Sequence, residues 1–372
     1  MQIQNVCIYK EDGSFARGNL CFEGEIFTAN SHGETIDAEG LYAFPGLIDI
    51  HLHGCVGYDF CDGTNEAFDA IMQYEAEHGV TAVLPASMTL PEKDLARIFT
   101  NAANYSNQTG ALFCGIDMEG PFFSPQKKGA QNPDYLRLPD VAMFERLNEA
   151  AQGKIKIACV APELKGGLDF VEEVSRKTKI SLAHTASDYD TAMLAFELGA
   201  THVTHLYNAM PPCTHRAPGV IGAAADSDCR VEIICDGVHI HPSVVRATMK
   251  MFGYDRVVLI SDSMMATGMK DGDYSLGGQP VRVKGNLATL EDGTIAGSAT
   301  NLYDCMKKAV SFGIPLEKAL QMATKNPAIE IGEYDRMGSI CVGKLANFIL
   351  ADKNFDIQQV YVKGKPIFPS QL

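Results

Sequence analysis

The sequence has no CxxC pair, no run of 18 apolar residues, no internal repeat, no low-complexity segment and no long linker. Each absence excludes something. The 11 cysteines are odd in number and scattered, from Cys7 and Cys21 to Cys114 and beyond. They make no disulfide scaffold and read as reduced, mostly buried thiols of a cytoplasmic protein. Without an 18-residue apolar run, no membrane-spanning helix is expected. The opening MQIQNVCIYKEDGS lacks a basic stretch followed by an apolar one, so no secretory leader is expected. Positive charge is also scarce: 31 Lys and Arg stand against 46 Asp and Glu, a net −15. Such a chain is a poor partner for nucleic acid. An anionic substrate would have to be held by a few local cations or a metal.

What is present fits a folded enzyme. Hydrophobic residues make up 46% and charged residues 21% of the 372, which suits a large core. That length exceeds two domains of about 150 residues, yet a single α/β barrel can use about 250. Residues 1–44 and 338–372 read as short alternating strands with turns (EDGS, GNLCFEGE, NFILAD, QQVYVKGKPIF), and predict one small β-sandwich domain built from both ends. Between them, eight apolar runs alternate with amphipathic stretches. The runs are 45–51, 80–87, 112–119, 154–162, 179–184, 201–206, 230–237 and 256–262. Helical patterns such as VAMFERLNEAAQG and DTAMLAFELG end at a glycine suited to a C-cap. The alternation predicts a (β/α)8 TIM-type barrel over 45–337, with a β-hairpin insertion near 272–296. An open doubly wound sheet is the alternative, but no Gly-rich dinucleotide turn follows the first strand.

In a barrel the C-terminal strand ends form the active face. Here those ends carry His51 and His53, then Glu119, His184, His205, His239 and Asp262. The i, i+2 spacing of His51 and His53 puts both rings on one face of a strand, where one metal can take both. Imidazole suits several metals. Glu119, in DMEGPFF, is followed by Gly-Pro, which ends the strand and leaves the carboxylate at the mouth. Glu119, His184 and His205 supply three ligands and leave a fourth position open, the layout of a catalytic metal. Taken singly, each of these residues also has an ordinary reading, as a solvated acid or a satisfied core histidine. Asp262 can take a proton from a water and later deliver it to a leaving group.

These motifs resemble those of the amidohydrolase superfamily, and within it the family of deacetylases acting on N-acetylglucosamine 6-phosphate. PGLIDIHLHG, DMEGPFFSPQKKGAQNP, AHTAS, THLYNAM, CDGVHI, LISDSM and AGSATNL follow in that family's order over essentially the full length. The resemblance implies hydrolysis of an N-acetyl group to give the amino-sugar phosphate and acetate. It implies a divalent metal, one or two per chain, with zinc first and iron, manganese, nickel or cobalt as alternatives. Glu119, His184 and His205 match the principal metal's ligands, and His51 and His53 those of a second. Asp262 matches the general base, then acid. His239 matches a sugar contact, and Asn208, Ala209 and Arg216 a phosphate site, with Arg216 able to come from the partner in a homodimer. His215 and the Lys127-Lys128 pair are further candidates for that phosphate. Gln131 stands where some relatives have a histidine that orients the amide carbonyl. The alternatives are the galactosamine epimer as substrate, or another member such as a cyclic amidase or deaminase. Many of those place a lysine at the end of the fourth strand, and IKIACVAPE has none there. A non-catalytic barrel would have lost ligands that this chain retains.

Overall fold

The computed structural model describes residues 1–107 and 109–368. The middle of the chain forms eight parallel strands, each followed by a helix. They are β1 (Leu47–Asp49), β2 (Val80–Val83), β3 (Leu112–Phe113, resumed at Ile116–Met118), β4 (Ile155–Val160), β5 (Lys179–Leu182), β6 (Ala200–Val203), β7 (Arg230–Ile234) and β8 (Val257–Ile260). Parallel ladders run from β1 through β2 to the start of β3, and from its resumed half through to β8. The sheet curls back on itself beyond the strand ends. Asp262 N donates to His51 O at 3.0 Å and His53 N to Ser263 O at 2.7 Å. The expected barrel alternation is therefore the observed one.

Strand periodicity sorts the side chains. Val257 and Leu259 point to the outer helices, while Val258 and Ile260 join Ile48, Ala82 and Ile157 in an inner cluster. Asp262 continues the inward parity of Val258 and Ile260, and Asp117 and Glu119 share one face of β3. The first barrel helix, α1 (Asn65–Glu77), shows how the outer layer forms. The side chain of Thr64 caps it by accepting from Ala67 N, and Phe68, Ile71, Met72 and Ala76 line its buried face. It stops two residues before Gly79, whose φ of 83° suits a residue without a Cβ.

Both ends of the chain share one eight-stranded sheet. Gln2–Tyr9 lies between Phe15–Glu23 and Tyr42–Pro45, and Phe348–Ala351 pairs antiparallel with Tyr42–Pro45. Its core includes Ile3, Val6, Phe22, Phe27, Phe348 and Tyr361. A separate three-stranded sheet, Gly272–Leu276, Gln279–Lys284 and Leu287–Thr289, packs Leu276, Val281 and Val283 against Met88, Ala130 and Met264 at the barrel mouth. All eleven cysteines are free thiols. Among the described residues no helix is long and apolar enough to cross a membrane.

Candidate active site

The strands end sharply at the mouth. His184, His205, Ala209 and Asp262 all have left-handed backbone, with φ of 44°, 30°, 52° and 50°. That conformation costs a non-glycine residue roughly 1–3 kcal/mol and persists where the surroundings over-determine it. Here it turns each side chain off its strand direction and into a common cavity of about 350 Å³. Two glycines make room. Gly129 has φ 55°, and a Cβ there would come within 3.2 Å of His184 Cε1. A Cβ on Gly120, next to Glu119, would meet Thr89 Oγ1 at 2.3 Å.

Within the cavity the donors converge. Glu119 Oε1, His184 Nε2 and His205 Nε2 stand 3.1 Å from one another. His53 Nε2 is 3.5 Å from Glu119 Oε2 and 3.4 Å from Asp262 Oδ1. His51 Nε2 lies 3.7 Å from both Glu119 Oε1 and Asp262 Oδ1. Glu119 thus stands between the two histidine pairs, with Asp262 facing His51 and His53. The HxH pair lies just past the end of β1 rather than within it. Its rings are 5.4 Å apart and nearly perpendicular, and both still aim Nε2 at the same acids.

The donor set fits a metal. Zinc bonds of about 2.0–2.1 Å in a tetrahedron separate ligand atoms by about 3.3 Å, close to the observed triangle. The far sides of the rings agree. His184 Nδ1 faces Lys127 O at 3.0 Å, His53 Nδ1 faces Ala86 O at 3.3 Å, and His51 Nδ1 lies 3.3 Å from both Asp117 Oδ2 and Glu232 Oε2. Each acceptor favours the proton on Nδ1 and leaves Nε2 as the ligand. Burial pushes the Glu119 carboxyl up, but when Nε2 of His184 and His205 carries a proton both rings donate to it, which outweighs burial and holds the group well below the usual range. Asp262 is likewise held down against burial, by His53 and the charges of the neighbouring histidines.

Other candidates scatter more. Gln131 is buried beside the triangle with both amide atoms engaged. Its Nε2 donates to Glu119 Oε2 at 2.8 Å and its Oε1 accepts from Thr89 N at 2.7 Å. His239 lines the cavity, and burial works against its charged form. Asp236 Oδ2, at 2.7 Å from Nδ1, overrides burial and holds its pKa above the ordinary value. Asn208 and Ala209 reach the rim, but Asn208 directs its backbone N–H to His205 O and its amide to His205 and Leu206 carbonyls. Lys127 lines the same cavity, whereas Lys128 bonds to its neighbour Gly129. Arg216 does not reach this cavity. It is exposed, bonds to His215 Nε2 at 2.6 Å, and lines a separate groove with Asp188, Pro211 and Pro218. Asp117, Glu232 and Asp236 are the contributors that sequence reasoning missed. Asp117 had one signal, its i, i−2 spacing to Glu119.

The profile of the amidohydrolase family matches residues 42–367. An N-acetylglucosamine-6-phosphate deacetylase of Bacillus subtilis is 37% identical over 337 residues, covering 88% of this chain and 85% of the relative. An N-acetylgalactosamine-6-phosphate deacetylase of Escherichia coli O157:H7 is 31% identical, covering 86% of each. Among solved structures, a mutant of the Mycobacterium smegmatis N-acetyl-D-glucosamine-6-phosphate deacetylase in complex with N-acetyl-D-glucosamine-6-phosphate superimposes with a TM-score of 0.92. It is 28% identical and covers 99% of both chains.

Proposed function

The chain belongs to the amidohydrolase family, and on that premise we propose that it hydrolyses the N-acetyl group of N-acetyl-D-glucosamine 6-phosphate to D-glucosamine 6-phosphate and acetate. The observation that carries this reading is the 3.1 Å triangle of Glu119, His184 and His205 with Asp262 across the same cavity. A divalent metal held by Glu119, His184 and His205, with a second at His51 and His53, supplies Lewis-acid polarisation of the amide carbonyl and makes water acidic enough to attack at neutral pH. Zinc is the first choice, with iron, manganese, nickel or cobalt compatible with the same donors.

The chain's own residues do the rest. Asp262, ionised because its pKa is depressed, accepts the proton of the attacking water. The same carboxyl then delivers that proton to the departing nitrogen, so one group serves both steps in sequence. His239, held by Asp236, presents its other nitrogen to the sugar. The phosphate lies at the rim near Asn208, Ala209 and Lys127. Arg216 is assigned to the phosphate of a neighbouring subunit's site, since its own cavity is out of reach. The proposal therefore includes a homodimer, and a cytoplasmic location for its free thiols.

Acetate release from N-acetylglucosamine 6-phosphate and from its galactosamine epimer, with elemental analysis of the purified protein, tests the reading. Faster turnover of the glucosamine substrate and bound divalent metal are expected. No acetate from either sugar phosphate in metal-replete protein would overturn it.

A further inference from the structure

A line of buried charged and polar groups runs from the candidate metal site to the opposite end of the barrel, and no step above uses it. Glu232 on β7 begins it. Its Oε2 lies 3.3 Å from His51 Nδ1 and accepts from His205 N at 3.1 Å. Its Oε1 is 2.9 Å from His202 Nε2. His202 Nδ1 is 3.3 Å from Glu330 Oε1. Glu330 in turn meets Arg230 Nη1 at 3.0 Å and Lys179 Nζ at 3.4 Å. His51, Glu232, His202 and Glu330 are all fully buried, while Arg230 and Lys179 reach the solvent at the far rim.

We propose that Glu232 is a positioning residue for a second metal ion. One oxygen of Glu232 touches both histidine pairs: the ring of His51 and the backbone of His205. The other oxygen is pinned by His202, which Glu330 fixes from behind. The carboxylate therefore cannot rotate away without breaking the line. This clamps the Nδ1–H side of His51 and leaves Nε2 directed at the ion, a role that outer-shell acids have in metal sites generally. Asp117 flanks the same nitrogen, so the two acids share the task, but of the two it is Glu232 that also accepts from the His205 backbone. The inference rests on the two-ion reading above.

Glu232→Gln is the variant to use. Gln retains an acceptor oxygen for His51 and His205, and its amide N–H can donate to His202 Nε2 once that ring, which donates to Glu232 in the wild type, gives up its Nε2 proton and keeps Nδ1–H toward Glu330. The fold is therefore retained, while a charge-assisted contact to His51 becomes a neutral one. Outer-shell changes cost about 10–100-fold in metal affinity, and this mild one is expected at about tenfold. Metal-free wild type, Glu232→Gln and the His51→Ala/His53→Ala double variant are titrated with zinc against a chelator. The wild type should bind two zinc ions and the double variant one. Glu232→Gln should bind the first as the wild type does and the second about tenfold more weakly. A role confined to the fold would weaken both ions alike or lower only the melting temperature of the metal-free protein. Either result, or a second zinc within about twofold of wild type, overturns the inference while leaving the two-ion reading intact. A wild type that binds one zinc, with the double variant unchanged, overturns both. If Glu232→Gln does not fold, Glu330→Gln decides. It leaves the Glu232 contacts in place and weakens their anchor, together with the Arg230 and Lys179 pairs at the far rim, and an unchanged second zinc there also refutes the inference.

Discussion

Arg216 offers the sharpest test of how an acidic chain holds a dianionic substrate. The net charge is −15, and among the described residues Lys127 is the lysine or arginine that lines the candidate cavity. Arg216 is exposed on a run, Pro212–Ala217, that is exposed throughout, and among the described residues its one hydrogen bond goes to His215. A guanidinium so placed can be removed with little effect on its own fold. A charge-assisted phosphate contact contributes about 1.5–3 kcal/mol, so Arg216→Ala should raise KM for the sugar phosphate roughly 10–100-fold. Slow hydrolysis of unphosphorylated N-acetylglucosamine should barely change. The decisive assay mixes lesions. Arg216→Ala and Asp262→Asn chains, co-expressed with different tags, form a heterodimer with one site bearing both lesions and one bearing neither. With equal expression about half the dimers are mixed, and about a quarter of wild-type turnover should return at low substrate. If Arg216 served its own chain, every site in the mixture would carry one lesion and nothing would return. That result would refute action across subunits. An equal loss on phosphorylated and unphosphorylated sugar would refute phosphate recognition altogether.

Three further outcomes are expected. Asp262→Asn should keep its metal by elemental analysis but lose roughly 10²–10⁴-fold in turnover, and a variant retaining more than about a tenth would remove Asp262 from the proton-transfer role. Gln131→Ala should weaken zinc binding at the Glu119 triangle by about tenfold and leave KM for the sugar phosphate at saturating zinc unchanged; the opposite pattern would make Gln131 a substrate contact instead. Glu75 on α1 is buried with neither carboxylate oxygen partnered among the described residues, and burial, then Asp49, pushes its pKa well up. The folded protein therefore keeps a proton that the unfolded chain releases above pH 4.5, so wild-type stability falls as pH rises. Glu75→Gln should match wild type in urea unfolding below that pH and exceed it increasingly above, by up to about 1.4 kcal/mol per pH unit, whereas a gap independent of pH would mean Glu75 is not taking up a proton on folding.

What could be read from the sequence depended on whether a residue's job follows from its own strand. The eight apolar runs mark the barrel because a parallel strand covered on both faces needs a near-continuous hydrophobic sequence. Glu119, His184, His205 and Asp262 were legible because each closes such a run, where topology puts every strand end on one face. Glu232 was not. It sits inside RVEIICDG, one acid in a buried strand, and its partners are 27 residues back at His205, 30 back at His202 and far earlier at His51. Periodicity gives the side of the sheet a residue faces but not which residues meet it across the barrel. Gln131 and Arg216 were harder to place for a different reason: both lie in loops, where spacing along the chain says little about reach. Arg216 is only eight residues past Asn208, yet the loop carries it outward to another groove. Nor is the strain at the mouth written in composition. His and Asp are among the non-glycine residues that enter left-handed backbone most readily, yet nothing local says that His184, His205 and Asp262 are the ones that do. Part of the cost of these three residues must be met by the interactions that converge on them. Among these are the Glu119 contacts to His184 and His205, and the hydrogen bonds joining Asp262 to His51 and Ser298. The backbone at the mouth is therefore set by the same long-range contacts that assemble the donor cluster, and a change that loosens one is expected to loosen the other.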